Sequence, residues 1–457
     1  MLGSSINPEY IYISCLLYSF MPFDVIVGRN ESDKKAFGKR GLAFIGKSYV
    51  TMGNYTSLSN PIYMDIVRSH VVLISGKRGS GKSYTIGTMA EAISNLGVEE
   101  SGNIASLIFD TMGIFWTMKY KNEKDAELLE EWGLKPKNLP LKVFAPFGYF
   151  QDYKDKGIDV DSEFAIRISE LEPTDWVELF ELKFTDSIAV VIESVISGLK
   201  ETKKSFSFKE IYDYISRAEN VSQEIKNSAM ALFDAAKTWK VFDEKKGTTV
   251  KELVSPGATT VIDLSMYASL GAFNVRALII GIVSKKLFNE RMNSRKDEEI
   301  QAVQHGADYA RYQVKREMPL VWIFIDEAHE FLPRDGKTPA TDALVQLLRE
   351  GRQPGISLVL ATQQPGKIHT DAITQSDIVL SHRVTAKLDV EALNDITQSY
   401  LYESISSKLN GLPRLSGSAI ILDDNSERIY PMRVRPRFTW HGGEAPTAIK
   451  RSDELFG

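Results

Sequence analysis

Residues 71–90 constrain the fold more tightly than any other stretch. An apolar run, Val71-Val72-Leu73-Ile74, leads into Gly76-Lys77-Arg78-Gly79-Ser80-Gly81-Lys82-Ser83, and Tyr84 to Ala90 can begin a helix. Strand, glycine loop and helix in that order form the phosphate-binding P-loop. The glycines let the backbone turn successive N–H groups toward phosphate oxygens, and the helix N-terminus adds partial positive charge. Lys82 can reach the β- and γ-phosphates, and the Ser83 hydroxyl can ligate magnesium. Gly76, Gly79, Ser80, Gly81, Lys82, Ser83 and Tyr84 are therefore the candidate nucleotide contacts.

A P-loop needs an acidic counterpart, and Leu320-Val321-Trp322-Ile323-Phe324-Ile325 ends in Asp326-Glu327. Asp326 would hold the Mg²⁺ shell and Glu327 would polarise the attacking water as general base. Taken alone, an acidic pair after a strand is also a helix N-cap and first turn. Gln363 ends the next apolar run, Ile356 to Thr362. Its amide can donate and accept, so it can sense the γ-phosphate or orient water, or else cap the turn before Pro365. Arg352, in Arg349-Glu350-Gly351-Arg352, is either an arginine finger for a neighbouring subunit or a surface salt-bridge partner. Asp110 closes the apolar run Ile104 to Phe109, the position at which a P-loop sheet presents residues on its carboxyl edge.

Strands alternate with helices in the rest of the chain, which implies a parallel α/β sheet. Residues 22–65 instead carry short β-type runs rich in glycine. From about 120 to 255 the pattern is mainly helical, with a short strand at Val143-Phe144-Ala145. Ile188, Val191, Ile192, Val195, Ile196 and Leu199 mark one amphipathic helix, and Ser207-x-x-Glu210 is a capping box for another. A long helix is expected from about Asn274 to Arg291, followed by a charged stretch to 317 that reads as a helix extension or a connection.

The chain has 457 residues, 43% hydrophobic and 25% charged, with a net charge of −5 and a pI near 5.9. These values exclude a surface that is basic throughout, so any nucleic-acid contact must use a local patch. The single cysteine, Cys15, excludes an intrachain disulfide framework and suits a reducing cytoplasm. Residues 10–20 are apolar but too short to span a membrane. Residues 1–20 read as an upstream extension ahead of Met21, or the apolar run as an extra strand.

The P-loop, Asp326 to Pro333, Arg349-Glu350-Gly351-Arg352, Leu358 to Pro365 and the ending Val434-Arg435-Pro436-Arg437-Phe438-Thr439-Trp440-His441-Gly442-Gly443 occur in that order. As a set they resemble the HerA/DUF87 branch of the FtsK–HerA ATPases over about residues 60 to 443. The resemblance implies a RecA-like core and a hexameric ring with ATP between subunits, pumping or unwinding double-stranded DNA. It places Lys82 and Ser83 on ATP and magnesium, Glu327 in catalysis, Gln363 as sensor and Arg352 as a finger in trans. Asp110 matches an acid after the second core strand of the family. Two departures stand out: the glutamate expected after Asp110 is replaced around Gly113-Ile114-Phe115, and the N-terminal segment is short for a full β-barrel.

The expected architecture is a RecA-like α/β P-loop core over 61–120 and 256–420. To it are added an N-terminal extension and small β subdomain over 1–60, a mainly helical insertion over 121–255, and a C-terminal strap over 421–457. The leading function is a cytoplasmic, Mg-dependent ATP hydrolase that moves duplex DNA as a homo-oligomeric ring, beside a nuclease in end processing or defence. The alternative is an ATP-gated scaffold for an effector protein, without processive movement. A P-loop kinase fits less well, because Glu327 and Gln363 suit activation of water. Lys77, Arg78 and the run Arg433, Arg435, Arg437 are the basic candidates for DNA; the arginines are equally readable as strand-edge residues that bind none.

Overall fold

The strands, in chain order, are β1 (Val25–Val27), β2 (Leu42–Met52), β3 (Tyr55–Asp65), β4 (Val71–Ser75), β5 (Ile104–Asp110), β6 (Leu141–Pro146), β7 (Ser162–Phe164), β8 (Ile166–Arg167), β9 (Phe242–Asp243), β10 (Thr259–Asp263), β11 (Leu320–Ile325), β12 (Ile356–Thr362), β13 (Ile378–His382), β14 (Ser418–Asp423) and β15 (Arg428–Val434). These come from a computed structural model that describes residues 23–52, 55–269, 272–305, 318–397 and 405–444. The expectation for residues 1–20 lies outside the described residues, as do the ends of the charged stretch (306–317) and of the strap (445–457).

Thirteen of the described strands join one sheet in the order β1-β3-β2-β15-β14-β13-β4-β12-β11-β5-β10-β6-β7. From β13 to β7 every neighbouring pair is parallel. In this block β4, β5, β10, β11 and β12 carry almost unbroken apolar runs, and every residue of β4, β5, β10 and β12 is buried. A strand covered on both faces has no polar side, so its sequence loses the two-residue alternation of a half-exposed strand. The RecA-like reading of the core holds.

β14, β15 and β2 turn antiparallel and carry the N-terminal strands onto the same sheet. The small β subdomain is thus β1–β3 laid edge to edge on the core through β15, not a separately folded unit. The insertion is likewise less separate than its helical sequence suggests. β6 and β7 fall within it yet form the far edge of the core sheet. Its own core gathers around Trp176, fully buried against Phe180, Phe208, Phe233 and Phe242. The amphipathic stripe buries Val191, Ile192, Val195, Ile196 and Leu199 in helix Ser187–Thr202. The capping box forms as expected: Ser207 N–H donates to Glu210 at 2.7 Å, and Glu210 N–H to Ser207 Oγ at 3.3 Å.

The long helix runs Phe273–His305, so the charged stretch begins as a helix extension. No helix among the described residues is long and apolar enough to cross a membrane.

Candidate nucleotide site

The carboxyl ends of β4, β12, β11 and β5 lie side by side, so the loops that follow them share one edge of the sheet. After β4 the chain turns through the P-loop into helix Lys82–Ser94. Gly76 has no room for a side chain: a Cβ there would lie 2.3 Å from Ser80 Oγ and 2.7 Å from His382 Cβ. Gly81 adopts φ +110°, a conformation that disfavours any other residue. Lys82 is buried beneath the loop, its Nζ 3.5 Å from the Lys77 carbonyl. Ser80 Oγ is buried with no hydrogen-bond partner.

β11 delivers Asp326 directly against the P-loop helix. Its Oδ2 accepts a short hydrogen bond from Ser83 Oγ, and its Oδ1 accepts the Glu327 N–H at 2.9 Å. Burial pushes the Asp326 carboxyl up, against the opposing pull of Ser83 and of the Lys82 charge. Glu327 has φ +50°, rare for a residue with a Cβ and of the kind that clusters at working sites. Burial and the adjacent Asp326 push its carboxyl up to about 7, while Lys82 and the Gln363 backbone N–H favour the charged form. Glu327 Oε2 is buried and has no hydrogen-bond partner.

Two orphaned polar atoms, Ser80 Oγ and Glu327 Oε2, therefore lie in the same P-loop and acidic-strand site, with a buried ammonium among them. Folded proteins rarely leave such atoms unpaired unless a ligand or water completes them. A nucleotide triphosphate fits this cradle. Ser83 and Asp326 are hard oxygen donors of the kind that magnesium accepts from protein, so the residues present fit that ion. Among the described residues no group of three or more His, Cys, Asp or Glu side chains could hold a metal by itself.

His329 and Gln364 belong to the same site and were not anticipated. His329 Nδ1 is 3.2 Å from Thr362 Oγ1 and 3.7 Å from Glu327 Oε2, and its Nε2 is 3.3 Å from Gln364 Nε2. Burial and the charges of Lys82 and Lys367 push the ring down to about 4, so it is neutral. With Nε2 accepting from the Gln364 amide, Nδ1–H donates to Thr362. His329 thus ties the end of β12 to the turn after β11. Gln363 enters through its backbone beside Glu327, whereas the neighbouring Gln364 presents the amide to His329. The sequence signal was a polar residue three places beyond Asp326. His382, fully buried under the P-loop with Nε2 2.8 Å from Thr85 Oγ1, carried no such signal.

Several expected site residues have other work. Asp110 is fully buried, and its carboxylate accepts the N–H groups of Met112 (3.1 Å), Gly113 (2.7 Å) and Phe115 (2.7 Å). It shapes its own loop instead of facing the P-loop. Burial and neighbouring Asp263 push it up to about 8. Tyr84 also turns away: its hydroxyl accepts the Arg437 N–H at 2.6 Å and its ring meets His441 edge-on at 5.1 Å. Arg435 and Arg437 do not form a DNA surface, being buried against Glu91 at 2.9 and 3.3 Å. Arg352 lies before β12 and Gln363 just after it, so seven strand residues, roughly 20 Å, separate them. Its Nη2 is 3.5 Å from Asp377 Oδ1, which leaves a role toward a neighbouring subunit open to it.

A family model described as helicase HerA, central domain, matches residues 50–283, just over half of the chain. A probable helicase of Methanocaldococcus jannaschii is 23% identical over 66% of this chain and 57% of its own length. The DNA double-strand break repair helicase HerA of Sulfurisphaera tokodaii is 22% identical over 79% of this chain and 63% of its own. The chain thus spans less than two thirds of either relative. Among solved structures, VirB4 of Thermoanaerobacter pseudethanolicus superposes with a TM-score of 0.52 at 13% identity, covering 86% of this chain and 96% of that one. That likeness supports the P-loop ATPase fold.

Proposed function

The chain belongs to the family of the helicase HerA central domain, and from that premise we propose that it is a Mg-dependent ATP hydrolase that translocates duplex DNA as a homo-oligomeric ring. The observation that carries the hydrolysis is Glu327. Its buried, unpartnered Oε2 lies beside Asp326, Lys82 and the end of β12, where a water attacking a γ-phosphate would be activated. Magnesium, when bound, would supply charge neutralisation for the phosphates. The chain's part is to hold phosphates on the P-loop N–H groups and Lys82, and to offer Ser83 and Asp326 to the ion. Glu327 takes the proton of water, and Gln363 with Gln364 aligns the end of β12. Arg352, far from its own P-loop, serves an adjacent copy's nucleotide. A hexamer, a cytoplasmic setting and a nuclease partner in end processing or defence complete this reading.

The second reading, an ATP-gated scaffold for an effector, is favoured by one observation. Arg435 and Arg437 are spent on Glu91, which leaves Lys77, Arg78 and Arg433 as the basic candidates named for DNA. ATP turnover with and without linear duplex DNA separates the two, with Glu327→Gln as control. DNA-stimulated turnover that falls with salt and vanishes in the variant supports the motor. Glu327-dependent turnover indifferent to DNA sinks translocation and favours the scaffold.

A further inference from the structure

Arg352 leaves the turn between helix Thr341–Glu350 and β12, and its side chain is 55% exposed. A solitary surface ion pair would confine so long a side chain only weakly. Its partner here is unusual because Asp377 is buried and already engaged. Asp377 Oδ1 accepts the Val71 N–H at 2.8 Å, and its Oδ2 lies 2.7 Å from His70 Nδ1. His70 Nε2 lies 3.2 Å from Asp65 Oδ2, and Asp65 Oδ1 accepts from Arg29 Nε at 2.8 Å. Arg29, Asp65 and His70 are themselves buried.

The chain Arg29–Asp65–His70–Asp377–Arg352 thus crosses the interior and surfaces at one guanidinium. It also touches the root of the P-loop strand. Val71 is the first residue of β4, and Asp377 immediately precedes β13, which pairs with β4. Burial pushes the Asp377 carboxyl up, but His70 and Arg352 outweigh it and hold it below the usual range. The acceptor is a fixed anion, so the guanidinium is preorganised at a set place on the surface.

We propose that Asp377, held by His70, is a positioning residue for Arg352: it sets the guanidinium for an adjacent copy's nucleotide and links it to this subunit's own P-loop strand. The inference rests on the ring reading above, in which Arg352 acts in trans.

The test uses full-length chains mixed in defined ratios, with Lys82→Ala as a subunit whose own site is dead but whose finger is seated. D377N should bind ATP and assemble as wild type does, with KM for ATP unchanged and kcat lowered at least tenfold. Turnover should return when D377N is mixed with K82A, because the K82A subunits present a seated Arg352. Mixing D377N with R352A should restore nothing. His70→Gln, which keeps a polar group beside Asp377, should give a smaller kcat loss rescued the same way. D377N with wild-type kcat while R352A is dead would overturn the proposal. So would a D377N defect that K82A fails to rescue while it does rescue R352A. If K82A fails to rescue R352A, the trans reading falls, and the positioning role falls with it.

Discussion

Glu91 lies fully buried in the P-loop helix and Glu327 largely buried beside it, and their surroundings differ. Glu91 accepts from Arg435 Nη1 (2.9 Å), Arg437 Nε (3.3 Å), Phe438 N–H (3.2 Å), Thr439 N–H (3.1 Å) and Thr439 Oγ1 (2.5 Å). One short segment of the C-terminal strap surrounds its carboxylate completely. Glu327 has an oxygen with no partner, a left-handed backbone and a carboxyl pushed up to about 7. A buried network with every member satisfied rigidifies a fold. A buried group left short of partners costs stability and is kept where a ligand will complete it. The difference separates a residue that builds the site from one that works in it.

Glu327→Gln tests that division most sharply. Loss of a general base should lower ATP turnover by about 10² to 10⁴, with the melting temperature equal or raised, because a carboxylate whose charged form burial disfavours has gone. A lowered melting temperature in calorimetry would mean that Glu327 is structural. Glu91→Ala should do the reverse. Leaving two buried guanidinium groups uncompensated should cost about 3–5 kcal/mol in denaturant unfolding. Stability within about 1 kcal/mol of wild type would erase the contrast.

His70 extends the comparison to pH. Burial alone would push its ring down, yet Asp377 and Asp65 raise it to about 9. Its folded value therefore lies above the ordinary 6.5 of an unfolded chain. The stabilisation is complete below about 6.5 and is lost as pH rises toward 9, on the order of 3 kcal/mol across that window. Unfolding free energies measured from pH 6 to 9.5 should fall, and His70→Gln should flatten the fall. A wild-type profile equally flat would show that the ring is neutral. The smallest effect is at Ser207, whose satisfied cap lies in the insertion. Ser207→Ala should cost about 1 kcal/mol and leave ATP turnover unchanged; a change in turnover would tie the insertion to catalysis.

The core was legible because its strands are continuous apolar runs between glycine and acidic turns, each readable within ten residues. The same locality made Ser83, Asp326 and Glu327 readable as partners, since P-loop and acidic strand each announce themselves. Asp110 misled for a related reason. A strand-end acid is recognisable, but the N–H groups that its carboxylate takes depend on how the next five residues bend. Arg435 and Arg437 read as a basic run because spacing along the sequence does not say that the segment after β15 folds back onto Glu91.

What the sequence by itself determined is the phosphate cradle, the acid that faces it and the parallel sheet that carries both, because contiguous residues dictate backbone turns and burial periodicity. Tertiary structure alone decided which buried charges meet. His70 finds Asp377 across 307 positions and Arg435 finds Glu91 across 344. Those encounters follow from strand order, with β13 and β12 flanking β4 and the strap returning over the P-loop helix. A buried ion must be paired somewhere, but only the packed sheet says with whom.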